Sequence, residues 1–221
     1  MQTIKRKYVH GLLLPVGLSL LLSGCLKTNN DLLIEAASKG DMERIETLLD
    51  LGADINYRDG KGKTALAVAV SRNKLPAVKR LLSNDGKTVS QDLRYSAAGI
   101  AALAGYLPIL KVLLDSGLDV NGKISTFSLL HLAAQSRNPE VARELLRRGV
   151  LVDVEDSNGE TPLFHAAGPE GVRTLVEVFI EAGADVNKKN KYGNCPLTLA
   201  LAENNHDSAA LLRNAGAKEC R

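Results

Sequence analysis

The feature that most restricts the fold of this chain is a repeat of about 33 residues running through its body. Leucine doublets recur at Leu48-Leu49, Leu81-Leu82, Leu113-Leu114 and Leu145-Leu146, with Phe179-Ile180 as a fifth equivalent. Shortly after them come glycines with a shared tail: Gly52-Ala53-Asp54-Ile55-Asn56, Gly117-Leu118-Asp119-Val120-Asn121 and Gly183-Ala184-Asp185-Val186-Asn187. Gly149 and Gly216 hold the same place, and the second unit has Asp85-Gly86 instead. A glycine one step beyond an apolar-periodic segment is a left-handed helix stop. Upstream, Asp31, Thr64, Ser96, Ser128, Thr161 and Cys195 each precede an alanine-rich aliphatic stretch, at spacings of 33, 32, 32, 33 and 34. All but Cys195 carry a side-chain oxygen able to accept from the free N–H groups of a helix start. Pro76, Pro108 and Pro139 fall where a second helix would begin, where a missing N–H costs little. Each unit therefore reads as turn, short helix, tight loop, longer helix, glycine stop. An ordinary helical bundle would explain the apolar spacing but not the glycine and cap columns.

These columns resemble the ankyrin repeat. Gly159-Glu160-Thr161-Pro162-Leu163 and Gly193-Asn194-Cys195-Pro196-Leu197 match its Gly-x-Thr-Pro-Leu opening. Ser128-Leu129-Leu130-His131-Leu132-Ala133-Ala134 matches the Thr-Pro-Leu-His-x-Ala-Ala stretch with two substitutions. The resemblance implies an all-α ankyrin-repeat solenoid over residues 30–221, six helix-turn-helix units with projecting hairpin fingers. The third unit departs most: Ser96-Ala97-Ala98 keeps the cap and alanine pair, but Lys87 to Tyr95 lacks an Asp-x-x-Gly turn. No such unit buries its apolar face alone, so the two ends need polar outer faces. Arg213 replaces a doublet residue in the last unit, and Glu35, Lys39, Glu43, Arg44 and Glu46 supply polar surface at the first.

Residues 1–24 read as an export leader. Lys5, Arg6 and Lys7 precede an apolar run, Gly11 to Leu22, too short for a spanning helix of about 20 residues. Leu22-Ser23-Gly24-Cys25 resembles the lipobox of bacterial lipoproteins, whose resemblance implies cleavage before Cys25 and lipidation of that residue. The alternative is an ordinary signal peptide with Cys25 incidental. Residues 25–29 would form a lipidated tether, and Leu26 after the cysteine fits the outer-membrane sorting of such lipoproteins, facing the periplasm. The +3 formal charge belongs to the leader, because the rest holds 25 basic against 25 acidic side chains. A neutral body offers no electrostatic reason for nucleic-acid binding.

Enzymatic chemistry finds no constellation of residues. His131 holds the histidine position of the ankyrin motif, where the resemblance implies a bond to the backbone of the adjoining turn. His165 and His206 have no partner at metal-ligand spacing, and no phosphate-binding glycine loop occurs. The carboxylate pairs Asp54 and Asp59, or Asp153 and Asp156, lie in turns, where Asp is ordinary. The reading is no enzyme, no cofactor and no metal. Cys195 and Cys220 both lie in the final unit; an exported compartment permits a disulfide between them, and Cys195 as a buried substitute for Thr is the alternative.

The resemblance implies a concave binding face built from the fingers and inner helices. On that face Tyr57, Arg58, Lys61, Arg94, Tyr95, Lys123, Phe127, Asn158, Glu160, Lys191 and Tyr192 are the candidate partner contacts. Tyr and Arg are common interface anchors, although Phe127 packed at the start of its helix is the alternative for that ring. The expected partner is a protein, met by a chain that is monomeric when unbound and held at the membrane by lipid on Cys25. The chain resembles ankyrin-containing immunity lipoproteins paired with phospholipase effectors of type VI secretion. An envelope scaffold or stress protein with an endogenous partner is the alternative, and an unfamiliar wall hydrolase the second.

Overall fold

The computed structural model describes residues 27–83, 88–122, 126–168 and 172–220. The leader, Cys25 and the candidate contact Lys123 lie outside the described residues, as does the Asp85-Gly86 stop.

Twelve α-helices occur among the described residues, two per unit. The first helix of each unit belongs to an inner row: α1 (Asn29–Lys39), α3 (Ala65–Ser71), α5 (Gln91–Ala104), α7 (Leu129–Gln135), α9 (Pro162–Ala166) and α11 (Pro196–Ala202). The second helices form an outer row: α2 (Met42–Asp50), α4 (Leu75–Leu82), α6 (Leu107–Asp115), α8 (Pro139–Arg147), α10 (Arg173–Glu181) and α12 (His206–Asn214). Each helix touches its partner in the unit and its counterparts in the neighbouring units. The fold is thus an all-helical two-row stack.

Small side chains permit the close approach of the inner row. Ala36, Ala37, Ala69, Ala97, Ala98, Ala101, Ala102, Ala133, Ala166 and Ala200 are all fully or almost fully buried. The outer row fills the remaining space with Leu48, Leu81, Leu113, Leu145, Phe179 and Leu212. Inter-unit burial is therefore the main source of stability, since a single helix pair this short is marginal in water. The first and last described units carry polar pairs. Lys27 and Lys39 both pair with Glu35, at 2.6 and 2.7 Å, and hold its carboxyl down at about 2. At the other end Arg213 is exposed and meets Glu219 at 3.2 Å.

Local chemistry sets the boundaries. Thr64, Ser128 and Thr161 cap α3, α7 and α9, their hydroxyls accepting from the backbone N–H three residues on. Glycines in the stop column sit in the left-handed region, for example Gly149 at φ 84° and Gly183 at φ 82°, where a Cβ is strained. The tight loop between the two helices uses the same conformation at Asn73, Arg137 and Asn204, with φ of 54°, 55° and 57°.

Two expected caps are displaced. Thr28, not Asp31, caps α1: Asp31 is the third residue of a capping box, and its side chain accepts from the Thr28 N–H at 3.0 Å. Helix α1 thus starts at Asn29. Ser96 is not a cap at all, because α5 starts at Gln91 after Ser90 and runs straight through it. The apolar stripe of Leu93, Ala97 and Ala101 at helical spacing extends α5 by more than a turn relative to its neighbours. Where other units place a finger, the third places helix.

Candidate functional site

Fingers of the second, fifth and sixth units share one turn design. Asp59 Oδ1 accepts from the Lys61 and Lys63 N–H groups, both at 2.8 Å. Asp156 Oδ1 does so for Asn158 and Glu160, at 2.8 and 3.0 Å, and Asn190 Oδ1 for Tyr192 and Asn194, both at 3.0 Å. A side-chain oxygen replaces a backbone acceptor and fixes each tip rigidly. The last two fingers are also bound to each other, Lys191 N–H donating to Asn158 O at 2.8 Å and Lys191 Nζ to Ser157 O at 2.6 Å.

A second ladder joins unit to unit at the base of the tips. Asn121 donates to Gly149 O at 3.3 Å and accepts from Leu151 N at 2.9 Å; Asn187 does the same with Gly216 O and Lys218 N. Asn56 bridges Thr88 O and Ser90 N in this way. Asp153 occupies the equivalent place in the fifth unit and accepts from Asp185 N at 3.2 Å, but a carboxylate has no proton to donate. Burial, with the Asp185 charge nearby, raises its pKa above the ordinary value.

The candidate contacts divide by accessibility. Arg58, Lys61, Asn158, Lys191 and Tyr192 are exposed, and Tyr192 is 72% exposed at a finger tip. Arg58 already pairs with Asp92 at 2.5 Å. Tyr57 is half-buried and donates its hydroxyl to Asp31 at 3.2 Å. Glu160 is half-buried too, with Asn190 donating to its Oε1 at 3.1 Å. Phe127 is half-buried and packs edge-on against His131 and His165, centroids 5.7 and 6.0 Å away.

Tyr95 requires correction. It is buried in α5, its hydroxyl donates to Gly122 O and accepts from Leu129 N, and burial pushes its pKa up to about 12. A phenol so enclosed is a strut between the third and fourth units, not a surface anchor. Arg94, also on α5 rather than a finger, is half-buried and donates to Ser116 O at the end of α6, where a helix C-terminus favours a cation. Gln91 reaches the neighbouring Gly117 O at 3.0 Å. Together these three side chains replace the missing finger.

Sequence spacing did not reveal one cluster. His131 Nδ1 accepts from the Ser128 N–H at 3.2 Å, and its Nε2 lies 3.0 Å from Glu160 O. His165 Nε2 lies 3.0 Å from Asp156 Oδ2; against the burial that opposes it, the Glu160 N–H bond first and then this pairing hold the Asp156 carboxyl below its ordinary value. Nothing in residue numbers 131, 156 and 165 signals the convergence. The cysteines of the last unit, Cys195 and Cys220, are joined by a disulfide with Cα atoms 5.8 Å apart.

A family model described as ankyrin repeats (three copies) matches residues 33–124 and again 129–220. This chain is an ankyrin-repeat protein. Among its relatives is the ankyrin repeat protein YahD of Escherichia coli (strain K12), 31% identical over 82% of this chain and 94% of that one. The palmitoyltransferase ZDHHC13 of Danio rerio is 33% identical over 84% of this chain, which spans only 29% of that protein's length. An ankyrin repeat domain from Acinetobacter baumannii AYE superimposes with a TM-score of 0.73 at 29% identity, covering 84% of this chain and 98% of that one. A chain from the complex of the Bdellovibrio bacteriovorus predatory endopeptidase Bd0816 with immunity protein Bd3460 gives 0.72 at 29% identity, over 83% and 97%. As an ankyrin-repeat protein, this chain is a protein-binding module. Among the described residues no helix is long and apolar enough to cross a membrane.

Proposed function

We propose that this ankyrin-repeat protein is an immunity protein that neutralises a toxic hydrolase by stoichiometric binding at its finger-side face. The observation that carries the reading is the near full-length likeness to a chain of the predatory endopeptidase–immunity protein complex, covering 97% of it. Rigid finger tips with exposed Tyr192, Lys191, Lys61 and Asn158 support it, because a pre-ordered surface loses little entropy on binding. Mechanistically, the face covers the toxin's active-site cleft or its membrane-binding surface, and no chemistry by this chain is required.

The finer reading rests on the N-terminal residues. Lipidation of Cys25 would tie the stack to the periplasmic face of the outer membrane, where a phospholipase delivered by type VI secretion acts. A short tether then keeps the binding face beside the lipid surface. The likeness to a chain of an endopeptidase–immunity protein complex favours a second target class, an endopeptidase.

Expression of the chain in a sensitive cell should protect it from a periplasmic toxin encoded beside its gene, and Cys25→Ser should weaken protection without unfolding the protein. A chain that neither binds nor protects against that toxin contradicts the reading. Inhibition assays with a purified phospholipase and a purified endopeptidase separate the two target classes.

A further inference from the structure

His131 lies on α7, Asp156 at the base of the fifth finger and His165 on α9. One ligand atom from each lies within 4.8 Å of the others, with His131 and Asp156 buried and His165 half-buried. Glu160 adds a second carboxylate: its Oε2 is 3.6 Å from His165 Nε2, and Asp156 Oδ2 is 3.0 Å from the same nitrogen. Ligands at about 2.0–2.1 Å around a tetrahedral ion lie about 3.3 Å from one another, so the two edges at His165 are close to coordination length, and those to His131, within 4.8 Å, need a small contraction.

Charge points the same way. Asp156 and Glu160 both lie within ion-pair distance of His165, an imidazole that is charged only when protonated. With His165 as the neutral imidazole that a metal requires, the cluster carries two negative charges and no positive one. Two imidazoles and two carboxylates are a donor set suited to Zn²⁺.

We propose that His131, Asp156 and His165 form an inducible Zn²⁺ site, with Glu160 as fourth ligand. Coordination through His131 Nε2 requires the tautomer protonated at Nδ1, whose N–H then donates a hydrogen bond to Ser128 Oγ, 2.9 Å away. The bond to Glu160 O is exchanged for a metal bond, and the Ser128 N–H loses its acceptor. That exchange weakens the site, so micromolar rather than nanomolar affinity is expected. The bound ion clips the fourth unit to the fifth beside Phe127 and Glu160 of the contact face.

Titration of the oxidised, EDTA-treated full chain with Zn²⁺ should show one ion bound and a raised thermal midpoint. Co²⁺ should give the visible absorption of a four-coordinate site without the near-ultraviolet band of a thiolate ligand, which excludes Cys25. His165→Ala should cost about 100-fold or more in Zn²⁺ affinity, since even outer-shell changes cost 10–100-fold. Asp156→Asn retains the Oδ1 acceptor that holds the finger and should weaken binding comparably, while His206→Ala should not. No uptake, or uptake equal in wild type and His165→Ala, would overturn the proposal.

Discussion

At the residue scale, Tyr95 carries unusual responsibility for joining two units. Its hydroxyl serves both Gly122 O and Leu129 N, and a Cβ at Gly122 would come within 2.8 Å of its ring. Tyr95→Phe should therefore destabilise the protein by about 1–3 kcal/mol by leaving two backbone groups unpaired, measured by urea denaturation. Asp153 offers the opposite case. Its position is filled by Asn in other units, where the amide donates to the next unit's glycine carbonyl. Asp153→Asn supplies that donor, so a gain of about 1 kcal/mol is expected at pH 7. Because burial holds the Asp153 carboxyl above its ordinary value of 3.8, ionisation weakens the native state as pH rises through the carboxylate range. The advantage of Asn should accordingly shrink as pH falls below about 4, where the acid is protonated in both folded and unfolded chains.

At the element scale, the repeat, its helix pairs and its glycine stops were legible because each has a local cause. A stop needs positive φ, a helix start needs an acceptor, and the alanines need close neighbours. The third unit was only half legible. Loss of the Asp-x-x-Gly turn before Tyr95 was visible, yet Ser96 kept the period of the cap column and so looked like a helix start. The competing signal was the Leu93-Ala97-Ala101 stripe, which continues the helix backward and decides the outcome through burial. Convergence of His131, Asp156 and His165 was not legible, because contact across stacked units depends on superposition rather than spacing. Among the described residues the sixth unit packs against the fifth alone, which makes its disulfide consequential. Closing a loop with a sequence separation of 25 residues is worth up to about 3.5 kcal/mol in the chain-entropy picture. Cys220→Ser should lower stability by up to that amount. Hydrogen exchange should localise the loss to α11 and α12, leaving α3 to α8 protected.

At the scale of the whole molecule, the stack is a rigid frame that holds separate finger tips in one surface. Tyr192 touches little of its own protein, so Tyr192→Ala should change stability by no more than about 0.5 kcal/mol. At a hot spot the same change should weaken partner binding by about 30-fold. That separation of folding from binding distinguishes a recognition surface from ordinary solvated turns. The most direct measurement is a titration of the purified chain into the hydrolase toxin encoded beside its gene, following the toxin's activity. The account predicts loss of activity with an endpoint at one chain per toxin, shifted to higher concentration by Tyr192→Ala. Undiminished toxin activity at a large excess of folded chain would contradict it.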